Sequence, residues 1–247
     1  MKIMNRGAIW LKVAVNYFKG YSPVNAEILN PEDTIAYMKK TGKSFLRLGD
    51  GEFNLLLGRD VHYQKFSPEL KQEIHLILQD YNENLPYIVA VPHQYFSNSN
   101  RVLNRRVLIS CWSIPKQIFR KYAKPDIVYG DAFLFAKNHR KLDYAKLWRN
   151  IPNVIVVHNK PEYLQGAYDP ETQKGFFVQI PPCNTYEAID ETEEQIKAVY
   201  AGNNLDVHKT VILLSAGPAA KVLVKRMSSQ GYYLIDCGHA WDDPLEV

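Results

Sequence analysis

The strongest constraint on the fold is the stretch at residues 210–239, "TVILLSAGPAAKVLVKRMSSQGYYLIDCGH". An apolar run leads into a tight turn at Gly217, Pro218 opens an amphipathic stretch, and a second apolar run follows Gly231. This order predicts a strand, a helix and another strand, and two strands joined through a helix lie parallel in one sheet. The stretch therefore indicates a parallel sheet with helices packed on it.

The same alternation continues over the rest of the chain. Continuous apolar runs are expected for strands that are buried on both faces. The other predicted strands are "SFLRLG", "YIVAVP", "PDIVYGDAFLF", "NVIVVHN" and "FFVQIP", and the predicted helices are "NPEDTIAYMKKTG", "SPELKQEIHLILQDY" and "TYEAIDETEEQIKAVY". We expect an α/β, Rossmann-like domain over residues 30–247, with a mostly parallel sheet and helices on both faces. Residues 1–29 are predicted to form a separate N-terminal amphipathic segment.

Composition excludes several classes of protein. Of the 247 residues, 46% are apolar and 23% are charged, which is typical of a soluble globular domain. The net charge of +4 is a mild basic bias that suits an anionic ligand or an anionic membrane surface, and we find no nucleic-acid-binding motif. Cys111, Cys183 and Cys237 lack CxxC spacing, which argues against a disulfide framework or a structural zinc site and fits a reducing cytosol.

The N-terminal segment contains no convincing signal peptide or membrane-spanning helix, so we expect a cytoplasmic protein. The apolar residues at helical spacing are Trp10, Val13, Ala14 and Tyr17, and the basic residues are Lys2, Arg6, Lys12 and Lys19. A helix that lies weakly on the inner face of an anionic membrane has this pattern, and so does a helix packed on the domain. Both interpretations stay open at this point.

Two carboxylates surround a glycine in "RLGDGE". Asp50 and Glu52 are one residue apart after a predicted strand, and Gly51 leaves room for a ligand. Mg²⁺ and Mn²⁺ prefer such oxygen ligands and bridge them to phosphates, while Arg47 is suited to a phosphate. The alternative is an ordinary Asp-Gly turn that leads into a capped helix, with an internal salt bridge to Arg47.

Two further turns follow predicted strands. In "SAGPAAK", Gly217 and Pro218 open a helix whose exposed backbone N–H groups favour an anion, and Lys221 supplies a positive charge one turn later. An ordinary strand-to-helix turn has the same sequence. In "DCGH", His239 lies three residues after Asp236. It is a candidate metal ligand, proton carrier or hydrogen-bond donor to a phosphate. Ligands of parallel sheets bind at this strand edge.

These motifs and their order resemble the bacterial GT-D-type glycosyltransferases of adhesin-glycosylation and surface-polysaccharide clusters. The resemblance covers roughly residues 30–240 and is carried by "RxGDGE", "NTYEAID" and "DxGH". It implies a metal-dependent transfer of a hexose, typically glucose, from a UDP-sugar to a glycan or lipid-linked acceptor. In that family the D-x-E element, here Asp50 and Glu52, serves the metal and the donor diphosphate.

The predicted site follows from the motifs and the resemblance together. Asp50, Glu52 and His239 are expected to be catalytic, and Asp50 and Glu52 are also expected to bind Mn²⁺ or Mg²⁺. The residues expected to bind the donor are Arg47, Gly49, Gly51, Gly217, Lys221 and Asp236. A metal-dependent phosphoester hydrolase and a non-catalytic nucleotide-sugar-binding module are the alternatives. The sequence leaves the sugar, the acceptor, the stereochemical outcome and the oligomeric state open.

Overall fold

One sheet organises the molecule, which is described by a computed structural model covering residues 17–100, 106–136, 142–238 and 240, with 11, 14 and 15. For residues 106–110 only the backbone is described. Eight strands of this part of the chain form the sheet in the order β1-β4-β3-β2-β8-β7-β5-β6, and neighbours pair in parallel. The strands are β1 Glu27–Ile28, β2 Ser44–Arg47, β3 Tyr87–Val91, β4 Val128–Asp131, β5 Asn153–His158, β6 Lys174–Gln179, β7 Thr210–Leu214 and β8 Tyr233–Asp236.

Helices connect these strands. Between residues 31 and 228 they are α1 Pro31–Thr41, α2 Asp50–Leu56, α3 Pro68–Asp80, α4 His93–Phe96, α5 Arg106–Phe119, α6 Ile189–Asn203 and α7 Pro218–Ser228. The ends of α1 confirm the predicted signals. The Asn30 side chain accepts the Asp33 N–H, and Gly42 ends the helix with a φ of 67°. These residues therefore fix the helix locally, before any packing on the sheet.

The two faces of the sheet bury two separate hydrophobic cores. Side chains alternate along each strand, so Phe45 packs in one core and Leu46 in the other. Helices α2, α3, α5, α6 and α7 cover the face of Leu46. The face of Phe45 is covered by Met38 of α1 and by Leu147 of a short 3₁₀ turn, among others. The predicted fold class is confirmed, with most of the helical cover on one face.

The structure differs from the predicted elements at three places. The predicted strand over 125–135 is shorter, because the Asp131 side chain accepts the Phe133 N–H and turns the chain. Helix α5 was not predicted, and Pro115 lies inside it. Glu27–Ile28 pairs with β4 although it lies in the predicted N-terminal segment. The boundary between residues 29 and 30 stays a prediction.

The described residues of the N-terminal segment fall into two groups. Tyr17 packs against the core, and its carbonyl accepts a hydrogen bond from the Asn100 side chain. Leu11, Val15 and Phe18 are exposed, with 68%, 41% and 72% of their surface accessible. Trp10 and Val13 lie outside the described residues. Where the chain is described, it contains no helix that is long and apolar enough to cross a bilayer.

Candidate active site

The three turns singled out in the sequence meet at the carboxyl edge of the sheet. Strands β2, β8 and β7 are neighbours, so "LGDGE", "DCGH" and "SAGPAAK" emerge side by side. They surround a cavity of about 290 Å³. The predicted site residues that line it are Arg47, Gly49, Asp50, Gly51, Glu52, Gly217 and Lys221. The edge therefore brings together most of the predicted site, as expected for a parallel sheet.

A buried cluster of charges forms the floor of this cavity. The Lys221 Nζ lies 2.8 Å from Asp236 Oδ2 and 3.2 Å from Glu52 Oε1, and it donates to the Gly217 carbonyl at 3.1 Å. The exposed fractions of Lys221, Glu52 and Asp236 are only 3%, 4% and 0%. Because charges at such depth are costly unless they are paired, each member depends on the others.

The two carboxylates of the D-x-E element have different environments. Asp50 is exposed in the first turn of α2. Glu52 is buried, and its Oε2 accepts the Gly49 N–H at 2.7 Å, while its Oε1 contacts Lys221. The Glu52 side chain thus caps the N-terminus of α2, as the alternative interpretation of a capped helix expects, although Gly49 has no side chain to complete a capping box. The internal salt bridge of Glu52 goes to Lys221, whereas Arg47 pairs elsewhere.

Arg47 is oriented by the end of the neighbouring strand. Its Nε lies 3.4 Å from Asp236 Oδ1, and its Nη1 donates to the Ala132 carbonyl at 3.4 Å. The guanidinium occupies the space where a side chain on Gly238 would begin, and Gly238 has a φ of 53°. The glycine of "DCGH" is therefore required twice, for its backbone conformation and for the position of Arg47.

Gly51 and Gly217 leave space that a tyrosine fills. A Cβ on Gly51 would lie 2.8 Å from the Tyr63 hydroxyl, and a Cβ on Gly217 would lie 3.2 Å from the Tyr63 ring. Burial raises the pKa of the Tyr63 hydroxyl above its ordinary value, and the Glu52 carboxylate raises it further. Sequence reasoning missed Tyr63, because no periodicity or motif marks the segment between α2 and α3.

His158 is a second cavity residue that the prediction omitted. It is buried at the end of β5, its Nδ1 accepts the Lys160 N–H at 2.9 Å, and its ring lies 4.8 Å from the Tyr163 ring. The signal was available, since "NVIVVHN" was a predicted strand and His158 stands at its carboxyl end. The predicted site residue His239 lies outside the described residues.

The cavity offers few side chains that could bind a metal ion. Among the residues that the structure describes, no group of three or more His, Cys, Asp or Glu side chains is arranged to hold one. Both oxygens of Glu52 are engaged, whereas Asp50 is exposed beside the cavity. This set suits an ion that takes one protein carboxylate and completes its shell with substrate phosphates and water, as Mg²⁺ often does.

Comparison with known proteins gives the family. The model of the family described as "Glycosyltransferase GT-D fold" matches residues 45–243. The chain is 26% identical over 230 residues to the glycosyltransferase GlyD of Streptococcus pneumoniae serotype 4 and 24% identical over 225 residues to the probable glycosyl transferase Gly of Streptococcus gordonii. The matches cover 84% and 86% of this chain but 26% and 32% of those proteins, so the chain spans about a third of their length or less.

Solved structures give the same fold. A structure of the domain of unknown function 1792, described as having a distinct glycosyltransferase fold, is 22% identical with a TM-score of 0.72, over 93% of this chain and 82% of that one. A glycosyltransferase of the same domain type from Streptococcus sanguinis is 23% identical with a TM-score of 0.70, over 87% and 82%. The family match extends over most of the sheet and all three turns of the cavity. The chain therefore belongs to the glycosyltransferase GT-D fold family.

Proposed function

We propose that this protein transfers a hexose, with glucose the first candidate, from a UDP-sugar to a glycan or lipid-linked saccharide acceptor. The observation that carries the proposal is the cavity at the carboxyl edge, where Arg47 and Lys221 stand beside the Gly217 turn. Arg47 and a helix N-terminus form a site suited to a diphosphate, above Lys221 in the floor of the cavity, whose charge Glu52 and Asp236 compensate. Family membership supplies the reaction class, and the curated relatives carry glycosyltransferase names.

The chemistry that these residues perform is stabilisation of the leaving group. Glycosyl transfer passes through an oxocarbenium-like transition state, and negative charge collects on the departing nucleoside diphosphate. Arg47, held by Asp236, and Lys221, held between two carboxylates, are cations whose positions are fixed before the ligand arrives. Fixed charges at the edge of a half-buried cavity stabilise developing charge more than mobile charges in water do.

A divalent ion, Mn²⁺ or Mg²⁺, has a place in this proposal at Asp50. When bound, such an ion offsets charge on the diphosphate. Glu52 was predicted to share the ion, and this stays a prediction. Each carboxylate oxygen of Glu52 already has one protein partner, so an ion there would have to share the carboxylate with Lys221 and the Gly49 N–H or displace one of them.

The donor assignment is tested by ligand-dependent thermal unfolding. Nucleotide sugars are added one at a time, with Mg²⁺, with Mn²⁺ or with a chelator. We expect UDP-glucose to raise the unfolding temperature in the presence of metal, because a ligand that binds only the folded state stabilises it. If no nucleotide sugar shifts the transition while simple phosphate esters are hydrolysed, the hydrolase alternative replaces the transferase.

A matched pair of variants tests whether the Asp50 carboxylate takes part in metal-dependent binding. Asp50 and Asp190 are both exposed acids in the first turn of a helix, but Asp190 pairs with Arg226 away from the cavity. Asp50→Asn should abolish the metal-dependent part of the shift, and Asp190→Asn should keep it. Equal shifts in both variants would remove Asp50 from the site.

We further propose that the protein is cytoplasmic and binds weakly at the inner face of the membrane. Leu11, Val15 and Phe18 are exposed and spaced as one face of a helix, near basic residues that suit anionic lipid. Phe18→Ser should weaken binding to vesicles that contain anionic lipid, whereas the change of another exposed apolar residue, Leu57→Ser, should not. Unchanged binding by Phe18→Ser would contradict the proposal.

A further inference from the structure

Tyr63 lies between the two turns to which the proposed function assigns the donor. Its hydroxyl would lie 2.8 Å from a Cβ on Gly51, and its ring would lie 3.2 Å from a Cβ on Gly217. The aromatic side chain closes the gap between the turns. A ligand's phosphates therefore have to approach Arg47 and Lys221 from the remaining open sides of the cavity.

The segment that carries Tyr63 is fastened to a loop far along the chain. The Asn184 N–H donates to the Tyr63 carbonyl at 2.8 Å, and the Asn184 Oδ1 accepts the Lys65 N–H at 2.8 Å. The Gln64 side chain, itself buried, accepts the Tyr186 N–H at 3.2 Å. Three hydrogen bonds therefore fasten residues 63–65 to this loop, and two of them involve Asn184.

Asn184 adopts a backbone conformation that few residues tolerate. Its φ and ψ are 55° and 36°, in the left-handed region, where asparagine costs less than other residues with a side chain. In that conformation its N–H and its side-chain oxygen both reach the Tyr63 segment. This gives a physical reason for asparagine in "NTYEA", a motif that the proposed chemistry leaves without a role.

We propose that Tyr63 is a specificity-determining wall of the donor cavity and that Asn184 is the positioning residue that holds it there. The proposal rests on the proposed donor site. Pre-organised walls raise affinity because the ligand does not have to order them on binding. Loss of the Asn184 contacts should therefore lower the affinity for the ligand, even though Asn184 itself does not need to contact the ligand.

The variants separate the side-chain contact from the backbone conformation. Asn184→Gly keeps the left-handed conformation and the N–H but removes the oxygen that accepts the Lys65 N–H. Asn184→Asp keeps an acceptor. Asn204→Gly is the matched control, because Asn204 is also left-handed, with a φ of 49°, but ends α6. Affinity for UDP with Mg²⁺, measured by calorimetry, should fall about tenfold in Asn184→Gly and stay unchanged in the other two variants.

A double-mutant cycle decides whether Asn184 acts through Tyr63. Tyr63→Ala should lower the affinity for UDP tenfold or more, and adding Asn184→Gly should then cause no further loss of affinity. An independent tenfold loss in the double variant would overturn the proposal, because Asn184 would then act on the ligand by another route. Wild-type affinity in Asn184→Gly would overturn it as well.

Amide hydrogen exchange without ligand separates this proposal from the proposed function. The Lys65 amide should exchange faster in Asn184→Gly than in the wild type or in Asn204→Gly, since its acceptor is gone. If the wild type binds neither UDP nor pyrophosphate, the proposed donor site is wrong. The exchange rate of the Lys65 amide then decides only whether Asn184 holds the Tyr63 segment. Unchanged Lys65 exchange would overturn the role of Asn184 whether or not UDP binds.

Discussion

Lys221 and Lys116 are both almost fully buried, but their surroundings differ. Lys221 is 3% exposed and lies between the carboxylates of Glu52 and Asp236 at the cavity floor. Lys116 is 1% exposed in α5, and its Nζ donates to the Asn98 carbonyl at 2.6 Å. Burial, together with the nearby Arg120 guanidinium, lowers the pKa of Lys116 to about 8. Burial of a lysine therefore does not by itself indicate a functional site.

The difference lies in what compensates the charge. Around Lys221 two anions face one ammonium, and Arg47 adds a second cation on Asp236. Such a network holds the side chains of Lys221 and Arg47 in place beside the cavity. Lys116 donates to a carbonyl and has no carboxylate partner where the chain is described, so its position in α5 is structural. The comparison predicts that removal of the charge destabilises the protein far more at Lys221 than at Lys116.

The largest expected effect is that of Lys221→Met. It leaves the Glu52 carboxylate buried without a cation and leaves Asp236 with Arg47 alone, which should lower the free energy of unfolding by about 3–5 kcal/mol. Lys116→Met removes a buried charge that has no carboxylate partner among the described residues, and it should change the free energy of unfolding by about 1 kcal/mol or less. Urea denaturation of the two variants measures both values at pH 7.

Two controls sharpen this test. Lys225 lies one turn after Lys221 on the same helix and pairs with Glu73 at 3.0 Å while 29% exposed, so Lys225→Met should cost only about 0–1 kcal/mol. Adding Glu52→Gln to Lys221→Met should recover part of the loss, since one unpaired charge disappears. Equal losses for Lys221→Met and Lys225→Met would mean that the network is not effectively buried.

Arg47→Ala should have the next largest effect, on binding more than on folding. It removes the proposed charge-assisted hydrogen bond to the donor, worth about 1.5–3 kcal/mol, or roughly a ten- to hundredfold loss in affinity. Arg226→Ala, in the exposed cluster with Glu73 and Asp190, is the control and should leave UDP affinity unchanged. Calorimetric titration with UDP and Mg²⁺ gives both numbers. Wild-type affinity in Arg47→Ala would make this arginine purely structural.

A smaller effect is expected from Gly238→Ala, which displaces the Arg47 side chain without removing it. Gly231→Ala is matched to it, because Gly231 also has a positive φ, of 90°, but has open space around the position of a Cβ. Both changes should lower the free energy of unfolding by about 1–2 kcal/mol through backbone strain. Only Gly238→Ala should also weaken UDP. Equal affinity in the two variants would show that Arg47 tolerates the move.

The last expected effect is a pH dependence that belongs to Lys116. Its pKa is about 8 in the folded state and near the ordinary 10.5 in the unfolded chain. The unfolded state therefore binds more protons between these values, so the free energy of unfolding should rise as the pH increases from about 8 to about 10.5. Urea denaturation over this range should show a smaller rise in Lys116→Met. The same rise in both proteins would assign it to other groups.

The sequence was sufficient to bring the candidate site residues to one edge of the sheet but not to pair their charges. Strand runs and the carboxyl-edge rule brought Arg47, Gly49, Gly217 and Lys221 to one cavity. The partner of Lys221 was not predictable, because Glu52 lies on a different helix and spacing alone does not state which acid turns inward. The same rule, applied to every strand, would have found His158.

Tyr63 shows the limit of local reasoning more clearly. Its position depends on Asn184, which is 121 positions later in the sequence, and on two glycines that belong to different turns. Each of these residues is unremarkable in its own segment. Gly51 was interpreted as space for a ligand, and part of that space holds a tyrosine. Only tertiary packing brings these residues into one contact.

The sheet order also has a consequence for how the site is acquired during folding. Strand β2 pairs with β8, and the contact between Arg47 and Asp236 spans 189 positions of the chain. During synthesis β2 can pair with β3 long before β8 emerges, which leaves one edge of β2 open. Contacts of such sequence separation form slowly, because a long loop has to close first. We therefore expect the charges of the cavity to find their partners in a late step, when β7, α7 and β8 dock as one unit.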